Sequence, residues 1–266
     1  LRATSTFVTA LHHGAKAIIP VSEIAEALEI KKAEPRIQNP ELVLLCGERN
    51  GVRIRAAQQW HGHPARESDA SAGNTRAGSP CHYSEIDFDL GNSPREYTPE
   101  KVRGKTIVST TTNGTRALRA CVGAKIILAA AFLNLGATAE FLEQNDLKSI
   151  LLICAGTGDG IADEDVLAAG ALCELLVGRA SSRAGTPPDQ AARGDARPTI
   201  SNSSQIALQK FHMAKADLYS AFAQAKNGAR LLAIPELRED VAFCLQRDIF
   251  PLVAKMEVDG AIRISI

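Results

Sequence analysis

The sequence predicts an α/β protein: a layered α/β/α arrangement with a mixed, largely parallel sheet. Three observations predict it. Short apolar runs alternate with amphipathic helical stretches along the whole chain. Several of those runs end in loops dense in Gly, Thr, Asn and Arg. A Thr-rich start, a short helix, Gly-Ala-Lys and an apolar run occur twice, with Gly14, Ala15 and Lys16 answered by Gly123, Ala124 and Lys125. That offset suggests an internal repeat relating two similar α/β halves, 1–104 and 105–266, within a single unit.

Taken in order, residues 7–13 carry helical periodicity, and Gly14 ends it as a C-cap glycine would. The run 15–21 reads as a strand, and Ser22 then caps a helix over 23–31. Residues 41–46 form a second buried strand, leading into Gly47-Glu48-Arg49-Asn50-Gly51. Thr98-Pro99-Glu100 opens a short helix, with Pro at its first position. Residues 106–109 are a strand that runs into a hydroxyl-rich turn, 110–116, and a helix. Further strands are expected at 124–130, 148–154 and from 256 onward. Further helices are expected at 134–142, 163–177, 203–226 and 236–245. Residues 57–84 and 179–198 have no apolar period and read as exposed insertions. His61, His63 and His82 fall in the first; a polar surface loop is the better account of them than a metal site.

Composition narrows the function. The chain has 266 residues, no formal net charge and only 5% aromatic residues. Nothing in it argues for the clustered basic surface or the stacking platform of a nucleic-acid binder. Six cysteines without CxxC spacing read as reduced thiols, which favours the cytoplasm. No apolar run is long enough to span a bilayer.

Polar loops at strand carboxyl ends are where α/β sheets bind ligands. Four polar loops follow a strand-like run or open the chain: 2–6, 47–51, 89–94 and 110–116. They pool Arg2, Arg49 and Arg116, which pair bidentately with phosphate or sulfonate oxygens. Thr4, Ser5, Thr6, Asn92, Ser93, Thr111, Thr112, Asn113, Gly114 and Thr115 add hydroxyls, amides and backbone N–H groups. A helix N-terminus at 110–116 offers that turn as an oxyanion seat, with a Thr/Asn helix cap as the equal alternative. Glu48 and Asp89 are the hard-oxygen ligands available for Mg²⁺, and one of them could instead activate water. The bland accounts are a surface ion pair for Glu48 and Arg49, an Asx turn for Asp89 and a solvated chain end for Arg2. Phosphate-loop and dinucleotide motifs are absent: Gly156-Thr157-Gly158-Asp159-Gly160 has the wrong spacing.

Assembled, these loops resemble the 2-phosphosulfolactate phosphatase family. The resemblance rests on Leu1-Arg-Ala-Thr-Ser-Thr6, Gly47-Glu-Arg-Asn-Gly51, Phe88-Asp-Leu-Gly-Asn-Ser-Pro94, Thr110-Thr-Thr-Asn-Gly-Thr-Arg116 and Cys154-Ala-Gly156. Glu164-Asp165-Val-Leu-Ala-Ala-Gly170, Lys226-Asn-Gly228 and Glu239-Asp240-Val-Ala-Phe-Cys-Leu-Gln246 extend it over nearly the whole chain. It implies a Mg²⁺-dependent phosphatase that converts 2-phospho-3-sulfolactate to 3-sulfolactate and phosphate, a step of coenzyme M biosynthesis in methanogens. Family members usually carry a strand ending in Asp-Val just before Leu-Arg-Ala-Thr-Ser-Thr, which this sequence does not include. The partner expected is a small anionic phosphoester, with no nucleic acid, no membrane, and a homodimer as the one assembly entertained. The alternatives are a phosphatase of another small acidic phosphoester and a non-catalytic phosphometabolite-binding protein.

Overall fold

A computed structural model describes residues 1–33, 42–55, 87–145, 147–183 and 199–265. One mixed sheet runs through it, in the order β3-β2-β4-β1-β7-β6-β5. β1 (Ala17–Val21), β2 (Val43–Arg49) and β4 (Thr106–Thr110) run parallel at its centre. β7 (Ile262–Ser265), β6 (Val253–Met256) and β5 (Ile127–Ala129) follow in antiparallel pairs. β3 (Val52–Arg53) turns back on β2 through Asn50 and Gly51, both at positive φ, as a two-residue Asn-Gly hairpin requires. The sheet is therefore mixed as expected, but its parallel portion is only the central three strands.

Period-two alternation sets the layers. Ile18, Ile107, Leu44 and Cys46 face α1 (Arg2–His12), whose Phe7, Val8 and Leu11 are almost fully buried. Val21, Val43, Leu45 and Val108 face α2 (Ile24–Ala33) through Ile24, Ala27 and Leu28 on the other side. Each such side chain, fully buried, contributes roughly 1.5–3 kcal/mol. α3 (Pro99–Val102) leads into β4, and α4 (Gly114–Ala120) leaves it. A third apolar cluster joins α5 (Leu135–Gln144), α6 (Asp163–Arg183) and α7 (Asn202–Ala214). A fourth joins α8 (Leu218–Gln224), α9 (Lys226–Leu232) and α10 (Arg238–Cys244).

Several expected boundaries move. α1 begins at Arg2, so the stretch 2–6 is helix rather than loop. β2 runs on through Glu48 and Arg49. α6 continues to Arg183, into the stretch expected as insertion; a helix already nucleated absorbs Gly178 at a cost of about 1 kcal/mol. The rest of that stretch, 184–198, and all of 57–84 lie outside the described residues. The helix expected over 203–226 is three helices. Asp217 breaks it by capping α8, its carboxylate accepting from Ser220 N at 3.0 Å, and Asn227 and Gly228 sit in the first turn of α9. The strand expected at 148–154 is irregular and unpaired among the described residues, with Leu151 and Ile153 exposed. The two Gly-Ala-Lys segments do follow helices, yet β1 sits in the parallel centre and β5 on the antiparallel flank, so no repeat of the larger fold emerges. Among the described residues the cysteines are free thiols; burial pushes Cys46 up to about 12 and Cys244 up to about 11. No helix there is long and apolar enough to cross a membrane.

Candidate active site

The parallel strands bring three carboxyl ends together: Val21 of β1 and Gly47 of β2 both register against Thr110 of β4. Arg49, last residue of β2, is fixed across this edge. Its guanidinium donates to Glu48 O at 2.9 Å, Thr110 Oγ1 at 2.8 Å and Ser22 O at 3.3 Å. Burial lowers the Arg49 pKa, Glu48 and Glu23 oppose that, and the nearby Arg116 charge adds to it. Arg49 and Arg116 thus share one electrostatic neighbourhood, and Arg116 is exposed at the start of α4.

Glu48 closes the same edge from below. It is only 6% exposed, and its carboxylate accepts from Gly51 N at 2.6 Å, Thr112 N at 2.7 Å and Thr112 Oγ1 at 3.0 Å. Asn50 N donates back to Thr112 Oγ1 at 3.2 Å. An internal anion therefore clasps the hairpin turn to the 110–116 loop and takes up one of the N–H groups expected to receive a ligand. Thr111 and Thr115 are also committed: each hydroxyl accepts from the other's backbone N–H, at 3.0 and 3.1 Å, which caps α4. Asn113, the N-cap, makes no capping bond with its side chain.

α1 starts against α4. A Cβ on Gly114 would lie 2.7 Å from Ala3 Cβ, so the two helices touch at their first turns. Arg2 reaches from there to Gly51 O at 3.2 Å, with its other nitrogen 3.8 Å from Asp240 Oδ2. The remaining α1 candidates turn inward. Thr4 Oγ1 donates to Leu1 O at 2.9 Å, Thr6 Oγ1 donates to Asn92 O at 3.0 Å, and Ser5 Oγ is buried without a partner. Asn92 and Ser93 are buried too, and Ser93 Oγ donates to Asp240 Oδ1 at 2.6 Å. These groups brace Arg2 and the loop behind it rather than line an open pocket.

Asp89 stands apart from Glu48. Its carboxylate accepts from Leu45 N at 2.7 Å and Lys31 Nζ at 3.0 Å. Leu45 is three residues nearer the amino end of β2 than Glu48, roughly 10 Å at 3.3 Å per residue. Asp89 lines a separate open cavity of about 300 Å³ with Leu44, Arg53, Leu90, Glu100, Lys101 and Lys105. The pair expected to share Mg²⁺ does not fit a common ion: the acids are separated, and each already accepts hydrogen bonds from two residues. Among the described residues no group of three or more His, Cys, Asp or Glu is placed to hold a metal.

Two residues at the site had no role assigned from the sequence. Asp240 of α10 is fully buried beside Arg2; burial raises its pKa, against the pull of Ser93 and Arg2. Its signal was its phase, since it shares the buried side of α10 with Val241 and Cys244. Arg230 of α9 approaches Gly51 from the solvent side, and nothing in its local pattern distinguishes it.

The family model of the 2-phosphosulpholactate phosphatases matches residues 1–59 and 82–259. The chain belongs to the 2-phosphosulfolactate phosphatase family, whose members are phosphoric monoester hydrolases. The gap in the match falls within the expected insertion 57–84. A protein of Caldanaerobacter subterraneus subsp. tengcongensis, named a probable 2-phosphosulfolactate phosphatase, is 34% identical over all of this chain and 88% of its own length. A Thermotoga petrophila protein of the same name is 35% identical over 95% of this chain and 84% of its own. One from Synechococcus sp. (strain JA-2-3B'a(2-13)) is 30% identical over 98% and 88%. The 2-phosphosulfolactate phosphatase family is thus matched along both the parallel strands and the C-terminal helices that together form the site.

Proposed function

We propose that this chain hydrolyses the phosphate ester of 2-phospho-3-sulfolactate, giving 3-sulfolactate and phosphate. The observation that carries the proposal is the gathering of Arg2, Arg49 and Arg116 around the Glu48–Thr112 clasp, on a protein without net charge. A substrate bearing carboxylate, sulfonate and phosphate carries roughly four negative charges near neutral pH. Binding it needs several cations converging on one place, and phosphoryl transfer needs them fixed before the reaction starts. Arg49 meets that need because three acceptors hold its guanidinium at the strand edge. Arg2 is held from the other side by Gly51 O and Asp240. The proposed chemistry is water attacking phosphorus, with the bond between phosphorus and the ester oxygen breaking, that oxygen taking a proton from the water to become the sulfolactate hydroxyl, and the arginines neutralising charge on the phosphoryl oxygens.

Phosphate release from 2-phospho-3-sulfolactate, 2-phospholactate and 3-phosphoglycerate, measured with and without Mg²⁺, tests this reading. Turnover fastest on the sulfonated ester supports it. Preference for another ester would reassign the substrate. Saturable binding without turnover on any of them would make the chain a phosphometabolite-binding protein.

A further inference from the structure

Arg230 lies in neither the central strands nor α1, yet its guanidinium approaches that of Arg2 at Gly51. A Cβ placed on Gly51 would lie 3.8 Å from Arg2 Nη2, and 3.9 Å from both Nε and Nη2 of Arg230. The two guanidinium groups therefore converge beside Gly51, each within van der Waals reach of that one point. Gly51 has φ +87°, a conformation that itself disfavours a side chain.

Like charges so placed repel unless something anionic lies near. The acids at hand are already engaged. Glu48 is bound by Gly51 N and the Thr112 N–H and hydroxyl, while Asp240 is held by Ser93 through Oδ1 and pairs with Arg2 Nη1 at 3.8 Å through Oδ2. Arg2 Nη1 is buried and makes no hydrogen bond, and among the described residues Arg230 has no acidic partner. Arg230 is also rigidly carried. Gly228 sits so close to α8 that a Cβ there would lie 1.8 Å from Phe222 O, and Asn227 donates to Thr157 and Glu164. α9 is thus pinned one turn before Arg230.

We propose that Arg230 and Arg2 form a second anion subsite across Gly51, and that it receives the sulfonate of the substrate. This rests on the phosphatase reading and extends it by dividing the substrate's charges. A sulfonate is a permanently ionised, tetrahedral oxyanion with three acceptor oxygens, suited to bridging two guanidinium forks. The reacting phosphate belongs at the more enclosed cations, Arg49 beside Thr110, where burial strengthens charge stabilisation. Arg230 is on the solvent-facing rim, which suits the end of the substrate where no bond changes.

The experiment compares kcat/KM for 2-phospho-3-sulfolactate and for 2-phospholactate, which lacks the sulfonate, in the parent, Arg230→Ala and Arg230→Lys. The expected result is that Arg230→Ala lowers the ratio of the two values by roughly 10- to 100-fold, the span of a charge-assisted hydrogen bond, and that lysine restores part of it. A ratio within about twofold of the parent overturns the subsite, whether both rates fall together or neither does. A parent enzyme that releases no phosphate from 2-phospho-3-sulfolactate defeats the underlying phosphatase reading instead, before any variant is compared.

Discussion

The two ends of β2 hold an acid each, and they behave differently. At the carboxyl end Glu48 is buried and gathers three donors from Gly51 and Thr112, within the ring of arginines. Towards the amino end Asp89 is about one-third exposed and binds Leu45 N and Lys31, facing a different cavity. Both are carboxylates beside one strand, and both looked like metal ligands in the sequence. Strand polarity separates them: parallel strands gather their ligand-facing loops at carboxyl ends, so only Glu48 shares an edge with the ends of β1 and β4. Asp89 instead completes the hydrogen bonding of β2 where the chain passes alongside it at Leu90.

That contrast can be broken at several places. Glu48→Gln should have the largest effect. It turns an acceptor for three donors into a group that presents an N–H to at least one of them. A loss of about 1–3 kcal/mol in unfolding free energy is expected by denaturant titration, with phosphatase activity falling as the Thr112 loop loosens. Unaltered stability would show that the clasp does not hold the loop.

Asp240 offers a pH test of the bracing behind Arg2. Its ordinary value is 3.8, and burial raises it in the folded chain. The folded state therefore holds this proton more tightly than the unfolded state does. Below pH 3.8 both states are protonated and the site's contribution is fully present; as pH rises through the raised folded value, that contribution is lost. Asp240→Asn should remove this slope, so its stability relative to the parent rises with pH above 3.8. Parallel stability curves from acid to neutral pH would contradict the assignment.

Asp89→Ala should have the smallest effect. It removes a hydrogen bond to Leu45 N and a partly exposed ion pair, so about 1 kcal/mol is expected from thermal melts. A loss well beyond that would mean Asp89 has a role that its two partners do not reveal.

Much of the centre of this fold was legible. The apolar runs of β1 and β4 alternate in and out of two core layers, and Gly14, Pro99 and Ser22 punctuate them. Placing polar loops at strand carboxyl ends put Arg49 and Arg116 on one edge, whereas Arg2 reaches it from the first turn of α1 rather than from a loop. What was not legible depends on distant partners. Glu48 and Asp89 differ only in where along β2 the chain returns. Ile150, Leu151 and Ile153 have the composition of a strand, yet no described strand pairs with them. Asp240 and Arg230 come from C-terminal helices more than a hundred residues away from the loops they serve. The hydroxyls of Thr4, Thr6, Thr111 and Thr115 looked available because sequence does not show that they bind one another or the backbone.

The most direct test sets Arg49→Ala beside Asp89→Ala and measures kcat/KM for phosphate release from 2-phospho-3-sulfolactate. A site at the carboxyl end of β2 predicts a fall of about 100-fold or more for Arg49→Ala, the scale of losing one fixed charge stabiliser, and only a few-fold change for Asp89→Ala. An Arg49→Ala enzyme with the parent's rate, or an Asp89→Ala enzyme that falls as far, would contradict it.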